Sequence, residues 1–175
     1  QQLRERRSTR IAPGRDEKIL AAWNGLMISA FARGAQILRE PRYLIAAQNA
    51  AKFILTTMRD RSSVEARLFH SYKDGTSKFN ACLDDYACLI DGLIDLYQAD
   101  FHVNWLSEAR QLELFMRQHF ADPTESIFFY TSDDHEALIN RTKEVQDNAT
   151  PAAHSCAAMA LLRLAAITGV SSDTS

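Results

Sequence analysis

The chain has 175 residues, of which 46% are hydrophobic and 24% charged, so it is long enough for one globular domain with a sizeable core. Its 20 basic and 22 acidic residues give a formal net charge of −2, which leaves no basic excess for a phosphate backbone and predicts no nucleic-acid partner. No apolar run is long enough to span a bilayer, so we expect no membrane partner.

The N-terminal segment, 1–10, contains four arginines and is either a basic arm or a solvated helix end. Glu5 interrupts the positive charge and favours the helix end. We expect one domain over 11–170, followed by a polar tail over 171–175. Because the chain opens on Gln1 rather than methionine, we expect a processed or partial product.

The first two predicted helices differ in how their apolar residues are arranged. A helix over 17–39 is apolar nearly all round, whereas a helix over 42–58 has one apolar stripe and a polar face. A helix that is apolar all round has to be buried, and a helix with a single stripe lies on the outside. The pattern therefore predicts an inner helix followed by an outer one.

The same alternation continues along the chain. The segment 84–99 is mostly apolar and 104–120 is amphipathic, which predicts a second pair of inner and outer helices. A third apolar helix, over 152–168, ends at Gly169, a favourable C-terminal cap. Two and a half hairpins are therefore present.

The hairpins repeat in register, since Trp105 lies 62 positions after Tyr43 at the start of the next outer helix. The links between them carry strand-like residues at 68–72 and 127–131. This period is far longer than the 33 or 34 residues of ankyrin and tetratricopeptide arrays. The pattern predicts an all-α fold of tandem helical hairpins that form part of an α/α toroid, with short β links.

A six-hairpin toroid needs more chain than is present, so the inner helices lack some neighbours. Exposed apolar faces mark sites of association. We therefore expect the faces near Trp23 and Leu161 to be covered by the remainder of the toroid or by self-association.

Carboxylates precede or begin each inner helix, and in a toroid these helix starts meet at one rim. The charged and polar residues there are Asp16 and Lys18, then Asp84, Asp85 and Tyr86, then Asp147. Helix capping explains one aspartate per helix start, but not the second member of the central pair. Converging carboxylates carry out acid/base chemistry on sugars. We therefore take Asp84 and Asp85 as catalytic candidates, and Asp16, Lys18 and Tyr86 as substrate-binding candidates.

Three further residues on the inner helices have two interpretations each. Trp23 and Asn24 either stack on and hydrogen-bond to a sugar or belong to the core. His154 is either a proton carrier in the pocket, and hence a third catalytic candidate, or a satisfied core histidine. The partner predicted by this set is a sugar or another small molecule.

The cysteines and remaining histidines predict no metal site. Cys82, Cys88 and Cys156 are odd in number and form no Cys-x-x-Cys pair, so we expect reduced thiols and a cytoplasmic location. The other histidines are scattered, and no phosphate-binding glycine-rich loop is present, so we expect no metal and no cofactor.

The segment 10–20, its continuation Trp23-Asn24-Gly25, and the segments 83–87 and 141–149 carry a family resemblance. Together they resemble the thioredoxin-domain-containing family of spermatogenesis-associated protein 20 and the bacterial YyaL proteins. The resemblance implies a six-hairpin toroid similar to glycosidases and N-acylglucosamine 2-epimerases, of which this chain is the first part. It also implies an associated thioredoxin-like domain. At position 154 the resemblance implies Asn, where this chain has His.

Two functions remain open from the sequence. One is a carbohydrate-active toroid of the epimerase, isomerase or glycoside hydrolase type, with a pocket lined by carboxylates and aromatic side chains. The other is a non-catalytic scaffold or binding domain associated with a thioredoxin-like redox module. Whether Asp84, Asp85, His154 and Trp23 share one cavity is the observation that best separates them.

Overall fold

The computed structural model describes residues 2–11, 13–60, 62–63, 65–136 and 139–169. In chain order the elements are α1 (Gln2–Ser8), β1 (Ile19–Leu20), α2 (Ala21–Leu38), α3 (Pro41–Thr57), β2 (Phe69–Lys73), β3 (Thr76–Asn80), α4 (Leu83–Asp100), α5 (Val103–Phe120) and α6 (Ala153–Thr168). None of the described helices is both long enough and apolar enough to cross a bilayer.

The helices form an inner and an outer layer. In the inner layer α4 packs between α2 and α6, while α3 packs on α2 and α5 packs on α4 in the outer layer. Helix α4 buries 12 of its 18 residues, including Tyr86, Leu89 and Leu93, because neighbours surround it. The predicted tandem of inner and outer helical hairpins is confirmed.

Helix α2 lies in the inner layer but is not buried all round. One face of α2 packs on the core through small residues and Ile28, but Trp23 is 61% exposed and Met27 is 49% exposed. Leu162 of α6 is likewise 68% exposed. Among the described residues, α4 is the only inner helix that packs against α2, and it is also the only one that packs against α6. The faces of α2 and α6 that point away from α4 therefore lack a neighbouring inner helix.

Helices α2 and α4 approach closely where two glycines meet. A Cβ atom added to Gly25 would lie 2.5 Å from the backbone carbonyl carbon of Cys88, and one added to Gly92 would lie 2.6 Å from the carbonyl oxygen of Gly25. Only glycine therefore fits at this crossing. This contact explains Asn24-Gly25, a poor dipeptide for a helix on propensity alone.

A three-stranded antiparallel sheet, in the order β1-β2-β3, covers the start of α2. Leu20 pairs with Ser71, so the helix predicted from residue 17 begins only at Ala21, after the strand. The strand-like link at 68–72 is confirmed as β2. The link at 127–131 forms only an isolated bridge, in which Phe128 pairs with Ala121.

A buried ion cluster ties the three inner helices together. Asp95 of α4, 2% exposed, accepts hydrogen bonds from Ser29 and Arg33 of α2 and from Arg163 of α6. Burial raises the pKa of Asp95, but these three hydrogen bonds outweigh it and hold the pKa below its usual value. Removing one partner from a buried carboxylate of this kind is strongly destabilising. The hydrogen bonds to Asp95 therefore favour one relative placement of the inner helices.

Candidate functional site

Asp85 lies at the junction of the inner helices and the sheet, and it is fully buried. One carboxylate oxygen accepts the backbone N–H of Ala22, at the start of α2, at 2.9 Å. The other accepts the N–H of Cys82, the N-terminal cap of α4, at 2.9 Å and contacts His70 Nδ1 at 2.8 Å. Asp85 is thus the capping member of the Asp84-Asp85 pair, and it also orients a histidine.

His70 is the residue that the sequence analysis missed. It lies on β2, its side chain is 33% exposed, and its Nδ1 donates to Asp85 because a carboxylate only accepts. The hydrogen bond to Asp85 raises the pKa of His70, assisted by the charges of Asp85 and Asp84 and opposed by burial and by Lys18. Nε2 is the nitrogen left for proton transfer, an arrangement typical of an oriented general acid or base. The sequence signal that could have identified His70 is its position in the strand-like link that precedes Asp84 and Asp85.

Asp84, the other member of the pair, lies in the wall of a cavity of about 190 Å³. Its Oδ1 atom is buried and has no hydrogen-bond partner. Burial, followed by the charge of Asp85, raises the pKa of Asp84 to about 6, while His70 and the Tyr130 side chain act in the opposite direction. A carboxyl group with this pKa can both donate and accept a proton near neutral pH.

The residues predicted on the first inner helix lie nearby but are exposed. Trp23 directly follows Ala22, whose backbone N–H donates to Asp85. The Trp23 side chain is exposed to solvent. The side-chain amide of Asn24 donates one N–H to the Leu20 carbonyl at 2.8 Å, so its second N–H and its oxygen remain for other partners.

Asp16 and Lys18 lie before β1 and pair with each other. The distance from Lys18 Nζ to the Asp16 carboxylate is 3.2 Å, and Asp16 also accepts the Lys18 backbone N–H. Both side chains are about half exposed or more, so an isolated pair of this kind adds little stability. Asp16 is not the cap of α2, whose N-terminal cap position is Leu20.

Two predicted site residues have structural roles instead. Tyr86 is 1% exposed, stacks on Phe115 at 5.1 Å, and accepts the Leu68 N–H with its hydroxyl, so the predicted sugar contact is not supported. His154 Nε2 accepts the Phe128 N–H at 2.8 Å and thereby holds the second link against α6. That bond gives Nε2 a structural role, whereas the buried Nδ1 has no hydrogen-bond partner among the described residues.

The four residues singled out by the sequence do not share one cavity. Asp84 alone lines the 190 Å³ cavity, Asp85 is buried beside it, Trp23 is on the surface, and His154 contacts the second link. The structure instead brings Asp84, Asp85 and His70 together.

Two groups of described side chains have ligand atoms within 4.8 Å of one another, the spacing a metal ion requires: Cys82 with Asp84 and Asp85, and His119 with Asp133 and Asp134. In the first, burial and the charges of Asp85 and Asp84 raise the pKa of Cys82 to about 12, which disfavours the thiolate that binds metals. The carboxylate of Asp85 is already committed to three hydrogen bonds. This group is therefore poorly suited to a cation.

The layered hairpins and the rim of polar helix starts define the class of protein: an α/α toroid like those of sugar epimerases and glycoside hydrolases. The chain superposes on cellobiose 2-epimerase from Spirochaeta thermophila with a TM-score of 0.69, at 18% identity, covering 87% of this chain and 39% of the epimerase. A GH76 α-mannanase from Bacteroides thetaiotaomicron gives a TM-score of 0.71 at 12% identity, covering 91% and 42%. At these identities the likeness shows the fold alone.

Within that class, the chain is a homologue of spermatogenesis-associated protein 20. It is 36% identical to the protein from Homo sapiens over 176 aligned residues, which is 97% of this chain and 22% of that protein. The Mus musculus protein of the same name is 37% identical over 88% of this chain. The chain spans about a fifth of the length of these relatives, and no protein-family model matches it.

Proposed function

We propose that this part of the toroid binds a carbohydrate and transfers protons to or from it, in an epimerase, isomerase or glycoside hydrolase reaction. The observation that carries the proposal is the hydrogen bond between His70 Nδ1 and buried Asp85, with Asp84 beside them in a cavity wall. The structural likeness to a cellobiose 2-epimerase and a GH76 mannanase supports the substrate class.

Each of the three groups has a role that follows from its contacts. Asp85 is a positioning residue, because its carboxylate fixes the tautomer and orientation of the His70 ring. His70 Nε2 accepts a proton from the sugar when the ring is neutral and returns it when the ring is charged. Asp84 serves as the second acid/base group because its protonated and charged forms are both populated near pH 6.

Sugar contacts are proposed on the exposed side of the rim. Trp23 offers a free indole face, and sugar rings stack on such faces. Asn24, Asp16 and Lys18 offer hydrogen-bonding groups to hydroxyls from the same end of α2. Tyr86 supports this surface from the core and makes no sugar contact in the proposal.

The test is an NMR assay that follows epimerisation, isomerisation and glycoside hydrolysis of a panel of mono- and disaccharides. His70→Gln and Asp84→Asn should each lower the turnover rate by about 10²–10⁴, the usual contribution of a general acid or base. His102→Gln is the matched control, since His102 is exposed and lies in the turn between α4 and α5. Turnover that survives both site substitutions would refute the assignment.

A non-catalytic scaffold is the second candidate, favoured by a specific observation. Asp85 accepts hydrogen bonds from the backbones of Ala22 and Cys82 and from His70, so the central carboxylate serves the fold. If the protein binds and converts no sugar, and the substitutions at His70 and Asp84 change only its melting temperature, the scaffold is the correct function.

A further inference from the structure

We infer that the cavity beside Asp84 is a subsite for a protonated amine, so that the carbohydrate bound here is an amino sugar with a free ammonium group. This inference rests on the proposed carbohydrate function and specifies its substrate class.

The lining of the cavity is polar and acidic. Its lining residues include Asp84, Glu144, Tyr130, Gln146 and Asn148. Neither lysine nor arginine contributes to its described wall. A ligand group that is positively charged and rich in hydrogen-bond donors matches such a wall.

One carboxylate oxygen of Asp84, behind this wall, has no partner. Asp84 Oδ1 is buried and unsatisfied, and a buried carboxylate oxygen without a donor is costly. An ammonium group has three N–H donors, no acceptor and a positive charge, so in the cavity it offsets the charge of Asp84 while its donors reach the exposed polar residues of the wall. A neutral hydroxyl supplies only one donor and no charge.

The nearest cations along the chain are already engaged elsewhere. Lys143 Nζ pairs with Asp122 and, at 2.8 Å, with Glu125. The Arg141 guanidinium donates to the carbonyls of Thr131 and His119. Neither residue lines the cavity, so neither neutralises Asp84 and Glu144 there.

The available ligand groups and the volume of the cavity favour an ammonium group over a metal ion. A metal ion at Asp84 would draw on Cys82 and Asp85, but the raised pKa of Cys82 disfavours the thiolate and the Asp85 carboxylate already accepts three hydrogen bonds. The volume of about 190 Å³ exceeds the space of a bare ion and falls below the roughly 300–1,000 Å³ of pockets for drug-sized ligands. It suits part or all of one sugar ring.

The charge of Asp84 makes binding depend on pH. The titratable groups facing it are Asp85, His70, Tyr130, Glu144, Cys82, Cys88 and Cys156. Because its pKa is about 6, Asp84 is charged above pH 6 and becomes neutral below it. Affinity for an ammonium ligand should therefore fall as the pH decreases through 6.

The experiment is calorimetric titration of the protein with glucosamine, N-acetylglucosamine and glucose at pH 7.5. Glucosamine should bind about ten-fold more tightly than either neutral sugar, since a charge-assisted hydrogen bond replaces a neutral one. Asp84→Asn should abolish that preference. Asp74→Asn, which removes the same charge from an exposed hairpin turn, should retain it. Glu144→Gln is the second variant if Asp84→Asn fails to fold.

The outcomes separate the two proposals. Equal or tighter binding of N-acetylglucosamine or glucose overturns the amine subsite while the carbohydrate function stands. Binding of none of the three sugars overturns both. Asp84-dependent binding of Zn²⁺ or Mg²⁺ alone, with no preference for the amine, assigns the cavity to a metal instead and also overturns the inference.

Discussion

Asp84 and Asp85 are adjacent in the chain but lie in opposite environments. Asp85 is held by three hydrogen bonds, whereas Asp84 has a buried oxygen with none. The difference arises because consecutive residues at a helix start point in different directions, and only one can reach the free amides of both α2 and α4. The unsatisfied member of such a pair is the one available for chemistry.

At this scale we predict that Asp84→Asn stabilises the protein at neutral pH. The folded-state pKa of about 6 exceeds the unfolded value near 3.9, so the folded protein binds more protons than the unfolded chain between about pH 4 and 6. The stability that this group contributes is present below pH 4 and lost as the pH rises through 6. Asparagine does not titrate, so the variant should be about 1–3 kcal/mol more stable than the native protein at pH 7.5, with no gain near pH 4.

Urea unfolding at the two pH values measures this difference, with Asp74→Asn as the charge-matched control. A loss of stability at pH 7.5 in Asp84→Asn would show that the carboxylate is structurally paired. A gain confirms that the protein keeps a costly charge at this position, as functional sites commonly do.

Among the elements, α2 and α4 cross with their backbones in close contact. The backbones meet at Gly25 and Gly92, and the amide of Ala22 meets Asp85 one turn earlier. The crossing therefore sets the distance between Trp23 and the His70–Asp85 pair. Any separation of the two helices should disturb the proposed site as well as the core.

We predict that Gly25→Ala destabilises the protein by about 1–3 kcal/mol, because the new Cβ would lie 2.5 Å from the Cys88 backbone, which cannot move as a flexible side chain does. Gly34→Ala is the matched control in the same helix, where the nearest atom is a ring carbon of Tyr43 at 3.6 Å. The control should be neutral or up to about 1 kcal/mol more stable, because alanine favours helix. Thermal or urea unfolding measures both, and equal effects would contradict the crossing argument.

For the whole molecule, the bare faces of α2 and α6 are the main consequence of two and a half hairpins. A groove of about 580 Å³ runs along α6 between Leu161, Leu162 and the residues of the second link. Trp23 and Met27 expose the free side of α2 at the other end of the inner layer. Apolar area of this kind drives association in water.

We therefore predict that the isolated chain self-associates, and that Leu162→Gln weakens the association. The outer-helix residue Ile45 is 55% exposed and lies away from both inner faces, so Ile45→Gln is the control and should leave association unchanged. Sedimentation velocity across a range of protein concentrations measures both. A concentration-independent monomer in the native chain would show that the bare faces are tolerated.

The arrangement of helices was readable from the sequence because it follows from local periodicity. The apolar stripe on residues such as Ala47, Ala51 and Ile54 orients α3 whatever it packs on, and the nearly all-apolar segment from Tyr86 to Leu96 requires a central position. Even the repeat of 62 positions and the strand at 69–73 depend on short-range patterns. The family resemblance rested on the same local segments.

Only part of the site was readable: the paired carboxylates Asp84 and Asp85 stood out in the sequence, but the third member, His70, depends on contacts across elements. His70 meets Asp85 only because β2 pairs with β1 in a register that places it beside the start of α4, and side-chain periodicity does not specify that register. The rotation of α4 likewise buries Tyr86 and leaves Asp84 facing a cavity, although both begin the same helix. Helix formation is decided within a few turns of chain, whereas a site is decided by the packing that brings distant turns together.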